Sequence, residues 1–249
     1  MKLKDKVALV TGASRGIGRA VAVAFAREGA RLFLVGRTDR RALEDALRVV
    51  HEAGADAEGA LLDVGYYDDV QRLADRVAVR FGTLDILVNN AGVITPRPLL
   101  EITPAQWDDT VRTHLYGTFY CTRELITRFM KDRRAGKIIN VTAPAAVRAS
   151  LGVADYASAK GGIIAFTRNA ARELLPFNIQ VNAILPVAET RMTAALMAYY
   201  ERTLGAGGAD RLRSIAPPDV LGPAFVFFAS SDSDYVTGQI LAADGGRTL

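Results

Sequence analysis

Short apolar runs alternate with amphipathic segments along almost the whole of this 249-residue chain. The first run, Val7–Val10, leads into a glycine, and the segment after it has apolar residues at helical spacing. Strands that are covered by helices on both sides of a parallel sheet have such short, continuous apolar sequences. The alternation therefore predicts one α/β domain over residues 1–249, a doubly wound parallel sheet of about seven strands with helices on both faces.

The bounds of the individual elements follow from apolar spacing and turn residues. Strands are expected at 7–10, 31–35, 56–62, 84–88, 137–141, 178–184 and 239–243. Helices are expected at 18–28, 39–53, 67–81, 104–133, 155–175 and 218–229. The segment 188–218 is the one long stretch outside this pattern, and long loops in compact domains are usually functional, so a substrate lid is predicted there.

Composition excludes several classes of function. A net charge of +4 without an extended basic run does not suggest a nucleic-acid partner. No apolar run reaches the roughly 18 residues that cross a bilayer, and the N-terminus lacks the apolar region of a signal peptide, so a cytoplasmic protein without a membrane partner is expected. The single cysteine, Cys121, rules out an internal disulfide and fits a reducing compartment. No metal ligands are assigned.

A glycine-rich turn joins the first strand to the first helix. Gly12, Gly16 and Gly18 have the spacing G-x-x-x-G-x-G. Glycines let the backbone approach a pyrophosphate, and the N-terminus of a helix attracts an anion. The strand, glycine loop and helix together predict a dinucleotide site. The alternative is a turn in which the glycines only provide positive φ and bind nothing.

Tyr156 and Lys160 are four residues apart, so on a helix they share one face. A cation at that position is expected to favour the tyrosinate and to lower the pKa of the phenol. Such a tyrosine can exchange a proton with a carbonyl or alcohol oxygen. Because tyrosine and lysine are common on helices, a solvated pair without function is the alternative.

Together, the segments Thr11–Gly18, Asn89–Gly92 and Tyr156–Lys160 resemble the short-chain dehydrogenase/reductase family, and the resemblance runs nearly from end to end. It implies a Rossmann-type domain in which Tyr156 moves a proton while Lys160 lowers its pKa and holds the nicotinamide ribose. The cofactor-binding residues that it implies are Gly12, Ser14, Arg15, Gly16, Ile17, Gly18, Arg37, Thr38, Asp63, Val64, Asn90, Ala91, Gly92, Tyr156, Lys160, Pro186 and Thr190.

The end of the second strand bears on the choice of cofactor. It reads Gly36-Arg37-Thr38, and no carboxylate precedes Asp39. An acid at this point would accept a hydrogen bond from the 2′-hydroxyl of NAD, whereas an arginine suits the 2′-phosphate of NADP. Arg15, in the glycine loop, adds a second cation. The pair resembles the family's NADP-preferring pattern, so NADP(H) is the expected cofactor, with two merely exposed arginines as the alternative.

Two positions at which family members carry catalytic serine and asparagine hold other residues here. Ala143 stands at the serine position. Thr142 has a hydroxyl, but side chains alternate along a strand, so it is expected to point away unless a bulge shifts the register. His114 stands at the asparagine position and is predicted to be catalytic, either by holding a relay water or by titrating near neutral pH. A satisfied core histidine is the alternative.

A third departure follows the sixth strand. Family members have a glycine after the proline that corresponds to Pro186, and a threonine farther on that binds the nicotinamide carboxamide. The chain has Thr190 but lacks that glycine, so one residue is missing. The loop over the nicotinamide is therefore expected to be shorter or rerouted.

Three functions remain after this comparison of motifs. The leading one is an atypical NADP(H)-dependent, ketoreductase-like oxidoreductase that interconverts a small-molecule carbonyl and a secondary alcohol. The others are a nucleotide-binding protein that lost turnover and a non-redox enzyme that uses Tyr156 and His114. The resemblance points broadly to acyl-carrier-protein reductases, sugar or polyol dehydrogenases and ketone reductases. It also implies a homotetramer or homodimer that pairs through helices 104–133 and 155–175 and through the last helix and strand.

Overall fold

A parallel β-sheet forms the centre of this computed structural model, which describes residues 1–208 and 214–248. Within those residues the sheet has seven strands in the order β3-β2-β1-β4-β5-β6-β7, and all neighbouring pairs are parallel. The strands are β1 Val7–Thr11, β2 Arg31–Gly36, β3 Ala57–Leu61, β4 Ile86–Asn89, β5 Gly136–Val141, β6 Ile179–Pro186 and β7 Ile240–Ala243. The doubly wound, Rossmann-type sheet is confirmed.

Helices cover both faces of the sheet. They are α1 Gly16–Arg27, α2 Arg40–Glu52, α3 Tyr67–Phe81, α4 Pro104–Val111, α5 Gly117–Leu125, α6 Ala154–Leu174, α7 Arg191–Leu204 and α8 Gly222–Ala229. Ala8 and Val10 of β1 belong to one apolar cluster, whereas Val7 and Leu9 belong to the other. Because alternate residues of a strand enter opposite cores, β1 is apolar at every position. No helix of the described ranges is long and apolar enough to cross a membrane.

The bounds of several elements differ from expectation. The expected helix over 104–133 is a helical run that ends at Met130 and contains two π turns, Arg112–Tyr116 and Ile126–Met130. A π turn adds a residue to the helix without interrupting its apolar side, so spacing alone does not reveal it. The expected helix at 218–229 starts as a 3₁₀ turn, because Pro223 fits only the first turn of α8.

The segment predicted as a lid, 188–218, is largely helical. Thr190 caps α7 by accepting the N–H of Thr193 at 3.2 Å. Tyr199 is the buried residue of this helix, and its ring lies so close to Gly152 that a Cβ there would be 2.3 Å from the Cε1 atom. The part of the segment at 209–213 lies outside the described residues.

The strand order reverses between β1 and β4, and this switch point opens a crevice at the carboxyl edge of the sheet. Thr11, the last residue of β1, joins the two strands there. Its Oγ1 accepts the N–H groups of Asn90 at 2.9 Å and Ala91 at 3.0 Å, and donates to the Val88 carbonyl at 3.3 Å. One buried hydroxyl therefore fixes the turn after β4 against β1.

Replacement of Thr11 by valine is expected to lower the free energy of unfolding by about 1–3 kcal/mol, because two backbone N–H groups lose their acceptor inside the protein. Urea denaturation measures the change. Thr127→Val is the matched control, since the exposed Thr127 hydroxyl only bonds the Arg123 carbonyl of its own helix. A control that loses as much stability as Thr11→Val would contradict this role.

Candidate active site

The glycine loop between β1 and α1 folds tightly enough to exclude side chains. Gly12 and Gly16 have φ values of +64° and +55°, which favour glycine. A Cβ on Gly18 would lie 2.3 Å from the Gly12 carbonyl oxygen. Arg15 makes no side-chain cap on α1, and this helix, described in full, has no acid in its first turn. Its N-terminal N–H groups therefore suit an anion such as the pyrophosphate of a dinucleotide.

Two other loops meet this glycine loop. Asn90 donates from Nδ2 to the carbonyls of Thr11 at 2.9 Å and Gly12 at 3.2 Å. A Cβ on Gly16 would be 3.4 Å from the methyl group of Thr190. The loops that follow β1, β4 and β6 thus come together at the switch point, as their predicted shared role requires.

Both arginines predicted to bind a 2′-phosphate already have carboxylate partners. Arg15 forms an ion pair with Asp39. Arg37 contacts Asp63 through Nε at 2.8 Å and Asp109 through Nη2 at 3.3 Å. The sequence did not predict these ion pairs, and the cofactor role of the two arginines stays a prediction. The Ala42 amide and then the Arg15 guanidinium hold the pKa of Asp39 below its ordinary value.

The remaining predicted cofactor residues occupy different environments. Ser14 lies against the end of β2, since a Cβ on Gly36 would be 2.4 Å from its Oγ atom. Ile17 packs partly on the core, whereas Val64 is buried. Thr38 is exposed. These four residues lie in the segments that follow β1, β2 and β3, at the carboxyl edge of the sheet, although Ile17 and Val64 also serve packing.

The three residues predicted to be catalytic lie together. Tyr156 and Lys160 are on the first two turns of α6, and Lys160 Nζ is 5.7 Å from the centre of the Tyr156 ring. Lys160 Nζ donates to the Val141 carbonyl at 2.6 Å. The His114 ring meets the Tyr156 ring edge-on, with 5.2 Å between their centres. A π turn, often found at functional sites, carries His114 to this position.

Burial controls protonation at this cluster. It raises the pKa of Tyr156 above its ordinary value and lowers the pKa of Lys160 to about 7. The expectation that Lys160 lowers the pKa of Tyr156 is wrong for this structure, because the loss of hydration penalises the tyrosinate. Tyr156 therefore keeps its proton at neutral pH, which is the state that a general acid requires.

His114 is neutral and held on one side. Its side chain is 1% exposed, and Nε2 lies 2.7 Å from the Val93 carbonyl oxygen and 3.0 Å from the Val93 nitrogen. Burial, and then the charge of Lys160, lower its pKa to about 3, so titration near neutral pH is excluded. Nδ1 has no hydrogen-bond partner among the described residues. Thus His114 is not a fully satisfied core histidine either.

The ring of His114 also depends on Gly92. A Cβ on Gly92 would be 2.2 Å from the His114 Cε1 atom. The absence of a side chain at position 92 therefore makes room for the imidazole between the turn after β4 and α6.

The end of β5 offers no free hydroxyl. Thr142 is buried and donates from Oγ1 to the Lys160 carbonyl at 3.0 Å. Strand pairing is regular up to Val141 opposite Ile184, so no bulge turns Thr142 round. Ala143 follows in extended conformation and is buried. The orientation expected for Thr142 from strand alternation agrees with this geometry.

Several residues that shape the site were not found from the sequence. Asp39 gave a signal, because an aspartate directly before a helix is a preferred N-cap, and its carboxylate does accept the Ala42 N–H. Asp109 gave none, since its partner Arg37 is far away in the chain. Asn140 of β5, whose Oδ1 accepts a 2.9 Å hydrogen bond from Asn89 of β4, gave no sequence signal either. The described residues contain no His, Cys and carboxylate group able to hold a metal.

Comparison with known proteins gives relatives over the whole length. A family model described as enoyl-(acyl carrier protein) reductase matches residues 12–248. The chain is 33% identical over 250 residues to 3-oxoacyl-(acyl-carrier-protein) reductase FabG of Thermotoga maritima, covering 100% of both. It is similar to a variant of actinorhodin polyketide ketoreductase with NADPH (TM-score 0.93, 30% identity, 98% of this chain and 97% of that one). It is also similar to NAD⁺-bound xylitol dehydrogenase (TM-score 0.89, 28% identity, 97% of this chain and 98% of that one).

Replacement of His114 by asparagine is expected to make the fold less sensitive to acid. As pH falls, the unfolded chain binds a proton near the ordinary pKa of 6.5, whereas folded His114 stays neutral down to about 3. Stability that is present above pH 6.5 is therefore lost as pH falls towards 3. The full loss of stability amounts to roughly 5 kcal/mol, and the variant, which has no imidazole at position 114, does not undergo it.

Urea unfolding at about pH 7 and about pH 5 measures this effect as a change in the stability difference between wild type and variant. His51→Asn, on the exposed side of α2, is the control. A difference that is independent of pH, or one that His51→Asn reproduces, would show that His114 does not carry the acid sensitivity.

Proposed function

This chain belongs to the short-chain dehydrogenase/reductase family and is a ketoreductase-like oxidoreductase, and from that premise we propose that it uses NADP(H) to interconvert a small-molecule carbonyl and a secondary alcohol. The observation that carries the proposal is the cluster of Tyr156 with the buried Lys160 and His114 beside the crevice at the switch point. The bound cofactor would supply or take up the hydride. The chain's own side chains would handle the proton and orient the substrate oxygen.

Tyr156 would donate the proton in the reductive direction. Its raised pKa keeps the phenol protonated at neutral pH, so the proton is in place when charge develops on a carbonyl oxygen. Lys160, with a pKa of about 7, is partly charged at that pH and would stabilise the tyrosinate that remains. Its hydrogen bond to the Val141 carbonyl keeps the ammonium beside the ring.

His114 would act as a neutral hydrogen-bonding group. If Nε2 carries the proton, it donates to the Val93 carbonyl and Nδ1 is an acceptor; in the other tautomer, Nε2 accepts the Val93 N–H and Nδ1 is a donor. In both tautomers Nδ1, which is buried, has no hydrogen-bond partner among the described residues. We propose that it holds a water of the proton relay, since a charged form is excluded near neutral pH.

The cofactor would lie along the carboxyl edge of the sheet. The glycine loop and the N-terminus of α1 would bind the pyrophosphate, and Asp63 with Val64 would contact the adenine. The segment Asn90–Gly92 would pass behind the adenosine ribose, while Pro186 and Thr190 would adjoin the nicotinamide. Arg15 and Arg37 support NADP(H), because a planar guanidinium binds phosphate through two N–H groups.

One observation favours a second function, a nucleotide-binding protein with lost or non-redox activity. The Thr142 hydroxyl donates to the Lys160 carbonyl, and Ala143 has no hydroxyl. The end of β5 therefore provides no donor to the substrate oxygen. Loss of one such donor typically lowers the rate by ~10²–10³-fold without abolishing catalysis. We therefore retain the redox function as the leading proposal.

We also propose that the chain forms a homotetramer or homodimer through α5 and α6. Tyr116 and Phe119 are 49% and 42% exposed, and Phe119 packs edge-on against Phe166 of α6. Exposed aromatic clusters of this kind mark protein interfaces. A substrate lid over 188–218 remains part of the proposal, as does work in a reducing cytoplasm, which suits the buried, free Cys121.

Wild type is expected to bind NADPH more tightly than NADH, and Arg37→Asp is expected to weaken NADPH binding far more than NADH binding, because the new carboxylate repels the 2′-phosphate. Isothermal titration calorimetry measures both. Arg31→Asp is the control, since Arg31 begins the same strand at the opposite edge of the sheet and pairs with Asp56. NADH binding as tight as that of NADPH would refute the cofactor assignment.

Tyr156→Phe is expected to abolish NADPH-dependent reduction of a simple diketone while NADPH still binds, because the phenol supplies the proton. Ala143→Ser is expected to raise the rate by about tenfold or more, by restoring a donor. His114→Asn should help only in combination with that serine, since both act on one proton transfer. Tyr235→Phe, at a fully exposed tyrosine, is the control. A slower Ala143→Ser enzyme would mean that the site is built around alanine.

A further inference from the structure

We propose that Asp109 competes with the 2′-phosphate of the cofactor for Arg37 and thereby limits how strongly the chain prefers NADP(H). The inference rests on the proposed cofactor site. Asp109 belongs to α4, whereas the residues assigned to the adenosine end of the cofactor come from the loops after β1, β2, β3 and β4. It is therefore an additional determinant of specificity that none of those loops contains.

The contacts of Arg37 show the competition. Its Nε atom is 2.8 Å from an Asp63 carboxylate oxygen, and its Nη2 atom is 3.3 Å from an Asp109 oxygen. A phosphate binds a guanidinium best through two neighbouring N–H groups. The two carboxylates contact Nε and Nη2 of this guanidinium. A phosphate that binds the Nε–Nη2 pair of N–H groups must displace them, and one that binds the Nη1–Nη2 pair must share Nη2 with Asp109.

Asp109 is the carboxylate that can leave. Asp63 is held more firmly, because its side chain is 18% exposed and also accepts the Gly65 N–H at 2.9 Å. The Asp109 side chain is 39% exposed. The Asp109 carboxylate and its contact with Arg37 are therefore open to solvent. A phosphate oxygen can replace this carboxylate on Arg37 without either anion being moved into the protein interior.

Asp109 also has a second partner to which it can turn. Arg112, one helical turn later, places Nη2 3.2 Å from the same carboxylate oxygen. The Arg112 guanidinium is positioned by stacking over the Tyr66 ring at 5.2 Å. When Arg37 binds a phosphate, Asp109 keeps an ion pair with Arg112. The competition is consequently moderate, which corresponds to a severalfold effect on affinity and not to exclusion of NADP(H).

The pair of Arg15 and Asp39 is a similar arrangement but a poorer test. Asp39 caps α2 by accepting the Ala42 N–H at 3.0 Å. Replacing it changes the helix as well as the charge. Asp109 has no capping role, and its neighbour Asp108 offers the same change of charge on the same helix.

The experiment compares Asp109→Asn with Asp108→Asn by isothermal titration calorimetry. The probes are adenosine 2′,5′-bisphosphate and AMP, which differ in the 2′-phosphate and lack the nicotinamide, so the result does not depend on turnover. Asp109→Asn is expected to tighten binding of the bisphosphate by about three- to tenfold and to leave AMP within about twofold. Asp108, which is exposed, should affect neither probe by more than about twofold when replaced.

Equal effects of the two variants, or equal tightening of both probes, would overturn the inference, because either result indicates a general effect of charge. The variant Arg37→Gln distinguishes a failure of this inference from a failure of the cofactor assignment. If Arg37→Gln weakens bisphosphate binding and Asp109→Asn fails to strengthen it, only the inference is wrong. If Arg37→Gln has no effect on the bisphosphate, both are wrong. In the double variant that combines Asp109→Asn with Arg37→Gln, the tighter binding of the bisphosphate must disappear, because Asp109 acts on the phosphate through Arg37.

Discussion

The close approach of the glycine loop to the turn after β4 is the constraint on which the site depends. Two strands that are far apart in sequence meet at the centre of the sheet, and there the backbone of one touches the backbone of the other. Thr11 and Asn90 fix this contact through partly buried hydrogen bonds. Every other loop of the crevice is arranged around that junction, since the sheet spreads outward from it on both sides.

Desolvation is the second theme of the site. Three ionisable side chains, Tyr156, Lys160 and His114, are packed together, and burial favours the uncharged form of each. Lys160 is the one whose pKa of about 7 leaves a charge available under ordinary conditions. The electrostatics of the cluster therefore depend on a single proton on Lys160, while the other two act through hydrogen bonds.

The fold was predictable because it depends on local pattern. Continuous apolar runs marked strands such as β1, and helical spacing marked the helices between them, so the order of elements and the doubly wound sheet followed. Strand ends were less certain, as the extension of β6 to Pro186 shows. The π turns escaped prediction because an inserted residue leaves the apolar side of the helix almost unchanged.

The sequence predicted which residues form the site but not their protonation states or ion-pair partners. Motifs identified Tyr156 and Lys160, yet the direction of the Tyr156 pKa depends on how much water reaches the phenol, which no spacing reveals. In the same way, Arg37 was evident from its position after β2, but its partner Asp109 comes from a helix more than 70 residues later. Contacts between distant segments are set by packing, and a single sequence carries little trace of them.

The fit of His114 against Gly92 restricts the side chains that these two positions can hold together. A methyl group at position 92 would overlap the imidazole, so the two positions are sterically coupled although they are far apart in the chain. Any residue larger than glycine at position 92 requires either a smaller side chain at position 114 or a shift of the turn after β4. Redesign of the proton-handling cluster therefore has to treat the turn and the helical run as one unit.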